Sequence, residues 1–283
     1  MLAIAGDTLA PEILPPRDDL HRRIERVPLG VVLNIEAWNY PLLIAVNVVV
    51  PALVAGNSVM LKHSSRTPLC GEHFQAAFGH MPGLVTNLVI SHDQTTELIQ
   101  DPRIDHVVFT GSVDAGRHIH QAAAGRFIDV GLELGGKDPA YVAEDADLAF
   151  TVPNVVDGAF YNAGQSCCGV ERVYVHRSIY DAFLQKAVDA LARYQPGNPM
   201  DPRTTLGPLA NRSAMGVLDH QVADALHKGG RLLAGGGPMG GTSGNFYRPT
   251  ILADVARDAD IMREESFGPL MPVRAVTSDA EAL

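Results

Sequence analysis

A cysteine beside glycines is the residue in this sequence best suited to covalent chemistry. Cys167 lies in the stretch 162–169, which reads NAGQSCCG. A cysteine attacks carbon as its thiolate, so a helix N-terminus, a cation or a base must favour the ionised sulfur. Glycine neighbours would let a substrate or cofactor come close to that sulfur. The stretch therefore predicts a nucleophilic Cys167, and an inert buried cysteine is the competing interpretation.

The other two cysteines fit a structural role better. Cys70 falls in an apolar helical pattern, and Cys168 would face away from Cys167 if the chain is extended there. A redox pair formed by Cys167 and Cys168 stays open as an alternative function. Three cysteines in 283 residues cannot build a disulfide framework, so we expect a cytoplasmic protein.

Glu133 is a single carboxylate among apolar residues, in the sequence LELGGK at the end of a predicted strand. Burial raises the pKa of a carboxyl group toward neutrality, which suits a general base. A solvated glutamate at a sheet edge explains the same pattern equally well. The local sequence therefore leaves both interpretations open.

The turn at 109–116 could hold a phosphate. It places Gly111 and Gly116 between a predicted strand and a predicted helix. Free backbone N–H groups and the helix dipole attract anions at such a turn. The spacing is not G-x-G-x-x-G, so an ordinary turn is the competing interpretation.

Charge and composition exclude several classes of function. The chain has 22 Lys and Arg against 32 Asp and Glu, a net charge of −10, so we expect no nucleic-acid partner. Its most apolar stretch, 42–55, is shorter than the ~20 residues that cross a bilayer, so we expect no membrane partner. The 11 histidines lack metal-ligand spacing, so we expect no metal.

Strand and helix patterns alternate through the first half of the chain. Strands are predicted at 30–35, 58–62, 84–90, 106–109 and 127–132, with helices at 41–54, 68–78, 94–99 and 114–124. This alternation predicts an α/β fold with a doubly wound parallel sheet. Ligands of such sheets bind beyond the carboxyl ends of the strands. The second half begins at the turn 135–139 and also mixes both patterns, with a helix at 178–194 and strands at 172–176, 231–234 and 270–275.

Eight motifs occur together in an order that resembles the aldehyde dehydrogenase superfamily. They are VPLGVV at 27–32, AWNYP at 37–41, PALVAGN at 51–57, LK at 61–62, FTGSVDAG at 109–116, ELGGK at 133–137, GQSC at 164–167 and EESFGP at 264–269. Any one of them is a weak signal, whereas eight in register are specific. The resemblance implies an arm or oligomerisation ribbon at 1–26, a dinucleotide-binding domain at 27–134 and an α/β catalytic domain at 135–283.

The resemblance implies an NAD(P)-dependent aldehyde dehydrogenase that oxidises a small-molecule aldehyde to a carboxylic acid. Cys167 would be the nucleophile, passing through a thiohemiacetal and a thioester, and Glu133 would activate the hydrolytic water. Asn39 would donate a side-chain N–H to the oxyanion, together with the backbone N–H of Cys167. A chain without catalytic activity that binds only nucleotide or a partner subunit stays open as the alternative.

The same resemblance implies where NAD or NADP would bind. Lys62 would contact the adenosine ribose, and Ser112 the pyrophosphate. Trp38 would line the cofactor pocket, while Glu265 and Phe267 would contact the nicotinamide-ribose end. The remaining implied contacts are Ile35, Glu36, Ala37, Ser64, Ser65, Gly111, Gly116, Leu134 and Gly135.

One position bears on the choice between the two cofactors. Relatives that prefer NAD commonly have a glutamate where this chain has Ser65. Without that carboxylate a 2′-phosphate is not repelled, and Lys62 or Arg66 could pair with it. We therefore expect NAD or NADP.

The length of the chain departs from the family pattern. Family members extend further at both ends, so we expect this chain to be a fragment with incomplete domains and weakened activity on its own. The full-length protein would be a homo-oligomer, as family members usually are.

Overall fold

A computed structural model describes residues 1–241 and 244–283. They form two units, Met1–Leu134 and Gly135–Leu283. Each unit has its own hydrophobic clusters. No helix among the described residues is long and apolar enough to span a membrane.

The first unit consists of a terminal hairpin and a parallel sheet with helices on both faces. Its elements are α1 (Leu2–Leu9), β1 (Glu12–Arg17), β2 (Leu20–Ile24), β3 (Val31–Ile35), α2 (Pro41–Val54), β4 (Ser58–Lys62), α3 (Pro68–Ala77), β5 (Val85–Asn87), α4 (His92–Gln100), β6 (His106–Gly111), α5 (Val113–Ala123) and β7 (Val130–Leu134). The antiparallel hairpin β1–β2 and helix α1 are largely exposed.

The parallel sheet has the strand order β5-β4-β3-β6-β7. Leu33 and Ile35 of β3 pack with residues of α4 and α5 on one face, whereas Val32 packs with α2 on the other. Connections from β3 lead to β4 on one side and later to β6 on the other. The carboxyl ends of β3 and β6 therefore form the switch point where ligands bind in such sheets.

Local sequence signals decide where the helices of this sheet begin. Pro41 stands in the first turn of α2, where its missing N–H leaves no hydrogen bond unmade. Ser91 and Gln94 form a reciprocal capping box at α4. Ser112 begins α5, because its hydroxyl accepts a hydrogen bond from the backbone N–H of Ala115 at 3.3 Å.

The second unit is built around a mixed sheet. Its elements are β8 (Pro139–Val142), α6 (Leu148–Phe160), β9 (Arg172–His176), α7 (Tyr180–Ala190), α8 (Arg212–His227), β10 (Arg231–Ala234), β11 (Thr250–Ala253), α9 (Asp260–Arg263), β12 (Leu270–Val276) and α10 (Asp279–Ala282). The strand order is β10-β11-β12-β9-β8, in which β10 is antiparallel to β11 and the other pairs are parallel. Phe160 of α6 and Phe183 of α7 lie in one core cluster, and Leu218 of α8 and Met262 of α9 lie in the other.

Most predicted elements are confirmed, although the strand predicted at 84–90 covers only Val85–Asn87, and two further elements differ for local reasons. The predicted bounds of 41–54 and 58–62 are those of α2 and β4. The strand predicted at 127–132 starts later, because Phe127 has a left-handed φ of 55° and an exposed side chain. The helix predicted at 178–194 is shorter, since 3₁₀ turns at Arg177–Ile179 and Leu191–Arg193 flank α7.

Candidate active site

The segment after β3 carries several of the predicted site residues. Ile35 ends the strand with its side chain in the core. Glu36 is buried, and its backbone N–H donates to the carbonyl of Lys62 at 2.9 Å, which ties the ends of β3 and β4 together. Burial raises the pKa of the Glu36 carboxyl group to about 7. The next residues toward α2 are Ala37, Trp38 and Asn39, all half-buried.

The segment after β4 changes from buried to exposed within a few residues. Lys62 is buried, and its burial lowers the pKa of its ammonium group. Ser64 is half-buried, whereas Ser65 and Arg66 are exposed. The guanidinium of Arg66 lies 5.6 Å from the centre of the Trp38 ring, within the range of a cation–π interaction. The structure thus brings the predicted ribose and pocket-wall segments together in the first unit.

Small residues shape the turn from β6 into α5. A Cβ at Gly111 would overlap the ring of Phe109, and one at Gly116 would overlap the side chain of Leu134 at the end of β7. Glycine at position 116 therefore lets the first turn of α5 pack against β7. The first N–H groups of a helix are suited to a phosphate, which is the contact predicted for Ser112 and its neighbours.

Of the two interpretations that the sequence left open for Glu133, the structure agrees with the solvated glutamate. Glu133 lies within β7, and its side chain is exposed. The apolar residues beside it along the strand do not cover it, because neighbours in a strand point to alternate faces. Any role of Glu133 as a base therefore depends on its position rather than on a buried environment.

The chain just before Cys167 follows an unusual path. Asn162 and Ala163 have positive φ angles of 50° and 55°, and Gly164 follows at 70°. Non-glycine residues adopt this region only when surrounding contacts hold them there. Gln165 supplies such contacts, because its side chain donates to the carbonyl of Asn162 at 3.0 Å and accepts from the N–H of Ala210 at 2.9 Å.

The surroundings of the Cys167 sulfur disfavour its thiolate. Partial burial raises the pKa of the thiol, and the neighbouring Cys168 acts in the same direction through its charge and a hydrogen bond. The carboxylate of Glu265 adds a smaller effect of the same sign. A backbone hydrogen bond opposes these effects without reversing them, so the pKa shift does not support the expectation that the sulfur is held ionised.

The expectation for Cys168 is wrong. Both cysteines are exposed, so Cys168 is not an inert buried residue. The chain turns at this point, with the N–H of Gly169 donating to the carbonyl of Ser166 at 3.1 Å, so the two thiols do not face opposite ways as they would on an extended strand. The Sγ atom of Cys168 lies 3.7 Å from the hydroxyl of Ser166.

Glu265 lies beside the turn that opens the second unit. A Cβ at Gly135 would overlap the Glu265 carboxylate, which also accepts a hydrogen bond from the backbone N–H of Gly136. Burial raises the pKa of Glu265, and the negative charge of Glu171 adds to that rise. Phe267, two residues further on, has a left-handed φ of 51°.

Two charged residues near this segment received no role from the sequence. Lys137 and Glu171 form a buried ion pair of 2.5 Å whose side chains are each 8% exposed. Burial lowers the pKa of Lys137, while the charge of Glu171 opposes that change. A signal was present, because a glutamate directly before the inner strand β9 needs a partner if it is buried.

The structure places the predicted residues in two groups. Within the first unit, the segments after β3, β4 and β6 lie at the carboxyl ends of neighbouring strands, as does Leu134. Within the second unit, Gly135 lies against the Glu265 carboxylate, and the charge of that carboxylate acts on the Cys167 thiol. Among the described residues there is no group of three or more His, Cys, Asp and Glu side chains that could hold a metal ion.

Comparison with known proteins gives consistent results. The model of the aldehyde dehydrogenase family matches residues 1–283. Lactaldehyde dehydrogenase of Escherichia coli strain K12 is 39% identical over 260 residues, which cover 90% of this chain and 54% of that protein. Succinate-semialdehyde dehydrogenase (NADP+) 1 of Mycobacterium ulcerans is 37% identical over 259 residues, which cover 90% of this chain and 56% of that protein. The chain thus spans about half the length of the curated relatives it matches.

A solved structure agrees with these matches. Succinic semialdehyde dehydrogenase from Streptococcus pyogenes, in complex with NADP+, superposes with a TM-score of 0.92 at 33% sequence identity. The superposition covers 99% of this chain and 62% of that one.

Proposed function

Because the chain belongs to the aldehyde dehydrogenase family, we propose that it carries out the oxidation of an aldehyde to a carboxylic acid with NAD or NADP. The observation that carries this proposal is the Cys167 segment. An exposed thiol follows a run of left-handed residues, and the negative charge of Glu265 acts on it. Held backbone of this kind is typical of sites that must present one atom in a fixed place.

The residues of the first unit fit a dinucleotide. The start of α5 would direct backbone N–H groups and the helix dipole at a pyrophosphate, and Gly116 lets that helix start lie close to the sheet. Lys62, at the end of β4, would contact the adenosine ribose. In the second unit, Glu265 and Phe267 would contact the nicotinamide ribose. When bound, NAD(P)+ would supply the acceptor for the hydride that leaves the substrate carbon.

Cys167 would act first. Its sulfur loses a proton to solvent, attacks the carbonyl carbon of the aldehyde and forms a thiohemiacetal whose oxygen carries the negative charge. The side-chain N–H of Asn39 and the backbone N–H of Cys167 would donate to that oxygen, at about 3 kcal/mol per donor in sites of this kind. Because the thiol is protonated at rest, this step should speed up as the pH rises.

Glu133 would act last. Loss of hydride from the thiohemiacetal leaves a thioester on Cys167, which must be hydrolysed before another turnover. Glu133 would take a proton from a water molecule, whose oxygen attacks the thioester carbon and releases the carboxylic acid and the thiol. An exposed carboxylate suits this role, because the water has to reach it.

Either cofactor fits the segment after β4. Ser65 carries no charge that would repel a 2′-phosphate, and the exposed guanidinium of Arg66 lies near Trp38. Arginine pairs well with phosphate groups. We propose that NADP binds at least as well as NAD.

The test is aldehyde-dependent formation of NADH or NADPH, followed by absorbance. Replacing the nucleophile in Cys167→Ala should lower the rate by at least about 1000-fold, because the covalent route is lost. Cys168→Ala is the matched control and should keep most of the rate. Glu133→Gln should keep the first turnover and slow only the steady state.

Three results would speak against the proposal. Equal activity of the wild type and Cys167→Ala would exclude the covalent route. Loss of activity in Cys168→Ala alone would favour a thiol redox protein. A folded wild-type chain that binds cofactor without cysteine-dependent oxidation would favour a binding function.

A further inference from the structure

The buried pair Lys137–Glu171 holds the backbone of the segment that carries Phe267. One oxygen of the Glu171 carboxylate, Oε1, accepts the N–H of Phe267 at 2.9 Å. The other, Oε2, accepts the N–H of Ser266 at 2.9 Å and also contacts the ammonium group of Lys137. Lys137 donates in addition to the Ser266 hydroxyl at 3.0 Å. Both carboxylate oxygens are therefore used on two consecutive residues.

These contacts act on backbone that would not keep its shape unaided. Phe267 has a φ of 51°, which is unfavourable for a bulky side chain. Gly268 follows, and its carbonyl lies so close to Gly164 that a Cβ there would overlap it. The Glu171 carboxylate therefore fixes a strained turn that packs against the approach to Cys167.

Glu171 is itself firmly placed. Its backbone N–H donates to the carbonyl of Asp138 at 2.9 Å, and the next residue, Arg172, donates through Nε to the carbonyl of Lys137 at 2.8 Å. Residues 137–138 and 171–172 thus form a rigid base for the carboxylate. Glu265 lies on the same base, because its carboxylate accepts from Gly136.

Stability alone is a weak explanation for this arrangement. Two charges removed from water carry a large desolvation cost, and apolar residues of similar size often replace a buried ion pair without loss of stability. An apolar replacement could not accept two consecutive N–H groups, however. The pair therefore does something that packing would not, which is to set the direction of the backbone from Glu265 to Phe267.

We propose that Lys137 and Glu171 are positioning residues that hold Glu265 and Phe267 in place for the nicotinamide-ribose end of NAD(P). This inference rests on the proposed function for the identity of the ligand. Lys137 compensates the charge of Glu171, and Glu171 holds the N–H groups of residues 266 and 267.

The test compares the binding of two ligands to the full chain by fluorescence and competition titration. NADPH contains the nicotinamide ribose, whereas ADP has only the adenosine part. Glu171→Gln and Lys137→Met should weaken NADPH binding by about 10-fold, which corresponds to the loss of roughly one charged hydrogen bond, and ADP binding by less than about 2-fold. Lys137→Arg should restore most of the affinity for NADPH. Lys228→Met, which breaks a partly exposed ion pair with Asp224 on α8, is the matched control. It should change neither the affinity for NADPH nor the affinity for ADP.

A merely structural pair would give a different pattern. The inference would be overturned if the variants lost the same factor of affinity for NADPH and for ADP, or lost affinity for neither ligand. If a variant does not fold, hydrogen exchange is measured in the wild-type protein instead. The N–H groups of Ser266 and Phe267 should exchange slowly there, because the Glu171 carboxylate accepts both. Exchange at the rate of exposed amides would overturn the inference as well.

The outcome also separates this inference from the proposed function. A wild type that binds NADPH and oxidises no aldehyde contradicts the proposed reaction, while the affinity comparison still decides the role of the pair. A wild type that binds neither NADPH nor ADP contradicts both.

Discussion

The thiol of Cys167 is surrounded by groups that make its ionisation harder. Burial, Cys168 and Glu265 all raise its pKa, in that order of importance. A protonated thiol is less prone to unwanted alkylation or oxidation, because the thiolate is the reactive form. At the scale of single residues, the nucleophile of the proposed reaction would therefore be mostly protonated in the free protein.

The pH dependence of alkylation tests this arrangement. Cys167 should react with iodoacetamide along a titration curve whose midpoint lies above that of a cysteine in a model peptide. Removing the neighbouring thiol in Cys168→Ser, or the carboxylate in Glu265→Gln, should move the midpoint to lower pH, because each group raises the pKa. Peptide mass spectrometry reports the modification of Cys167 by itself.

A control and a contrary result are simple to define. Cys70→Ser lies in the other unit and should leave the midpoint unchanged. A wild-type midpoint at or below that of the model peptide would mean that the thiolate is favoured after all.

Residue types pointed to the site more reliably than to its electrostatics. The motif around Cys167 was visible in the sequence, and so was Glu265. The protonation of the thiol depends on which groups lie near it, and Glu265 comes from a distant part of the chain. Glu171 received no role because its partner, Lys137, is distant in the chain, although its place directly before an inner strand was a signal.

At the scale of elements, several polar groups are buried at the ends of β3 and β4. Glu36 is only 3% exposed, and His63, which follows Lys62, is buried as well. Burial raises the pKa of Glu36 and lowers that of His63, whose pKa the charge of Lys62 lowers further. Both shifts favour the neutral forms, so this edge of the sheet is more stable when it is uncharged.

The stability of the first unit should therefore depend on pH through Glu36. The pKa rises from 4.5 to about 7 on folding, so between these values the unfolded chain has released a proton that the folded chain keeps. Stability falls as the pH rises through this range, by about 3 kcal/mol at 1.36 kcal/mol per unit. Glu36→Gln should remove the loss, so it should be more stable than the wild type at pH 8 and similar to it near pH 4. Urea unfolding followed by the fluorescence of Trp38, the single tryptophan, measures this unit.

The matched control is Glu97→Gln, which changes an exposed carboxylate on α4. It should not alter the pH dependence. A wild type that is equally stable at pH 5 and pH 8 would contradict the assignment to Glu36.

Elements with a clear period were predictable, and those without one were not. Helix α2 begins at a proline, which marks its start. Successive side chains of β4 point to opposite faces of the sheet, toward α2 and toward α4. Both elements could therefore be predicted. Strand β11 was missed because all four of its residues are buried and no alternation marks it. Helix α6 was missed because Pro153 and several β-branched residues interrupt its helical pattern.

At the scale of the whole molecule, the chain consists of two units with separate cores. In our proposal the residues that contact the adenosine part of a dinucleotide belong to the first unit, and those that contact the nicotinamide part belong to the second. Each part of the ligand should therefore slow hydrogen exchange in a different set of residues.

Hydrogen exchange with two ligands makes this measurable. ADP should slow exchange in the segments after β4 and β6, because in the proposed function adenosine and pyrophosphate would contact residues of the first unit. NADP should slow exchange there and also at residues 265–267 of the second unit. Mass spectrometry of peptides resolves both regions. Protection of residues 265–267 by ADP alone, or its absence with NADP, would contradict the division of contacts.

The abrupt change from buried to exposed after β4 has a consequence for how the protein can change over time. Lys62 and His63 belong to the packed edge of the sheet, whereas Ser65 and Arg66 face outward. Exchanges at such outward positions usually alter stability by less than ~0.5 kcal/mol. In the proposed function these two positions bear on the choice of coenzyme, so exchanges there would alter that choice without disturbing the packed edge of the sheet, and a laboratory selection could follow the same route.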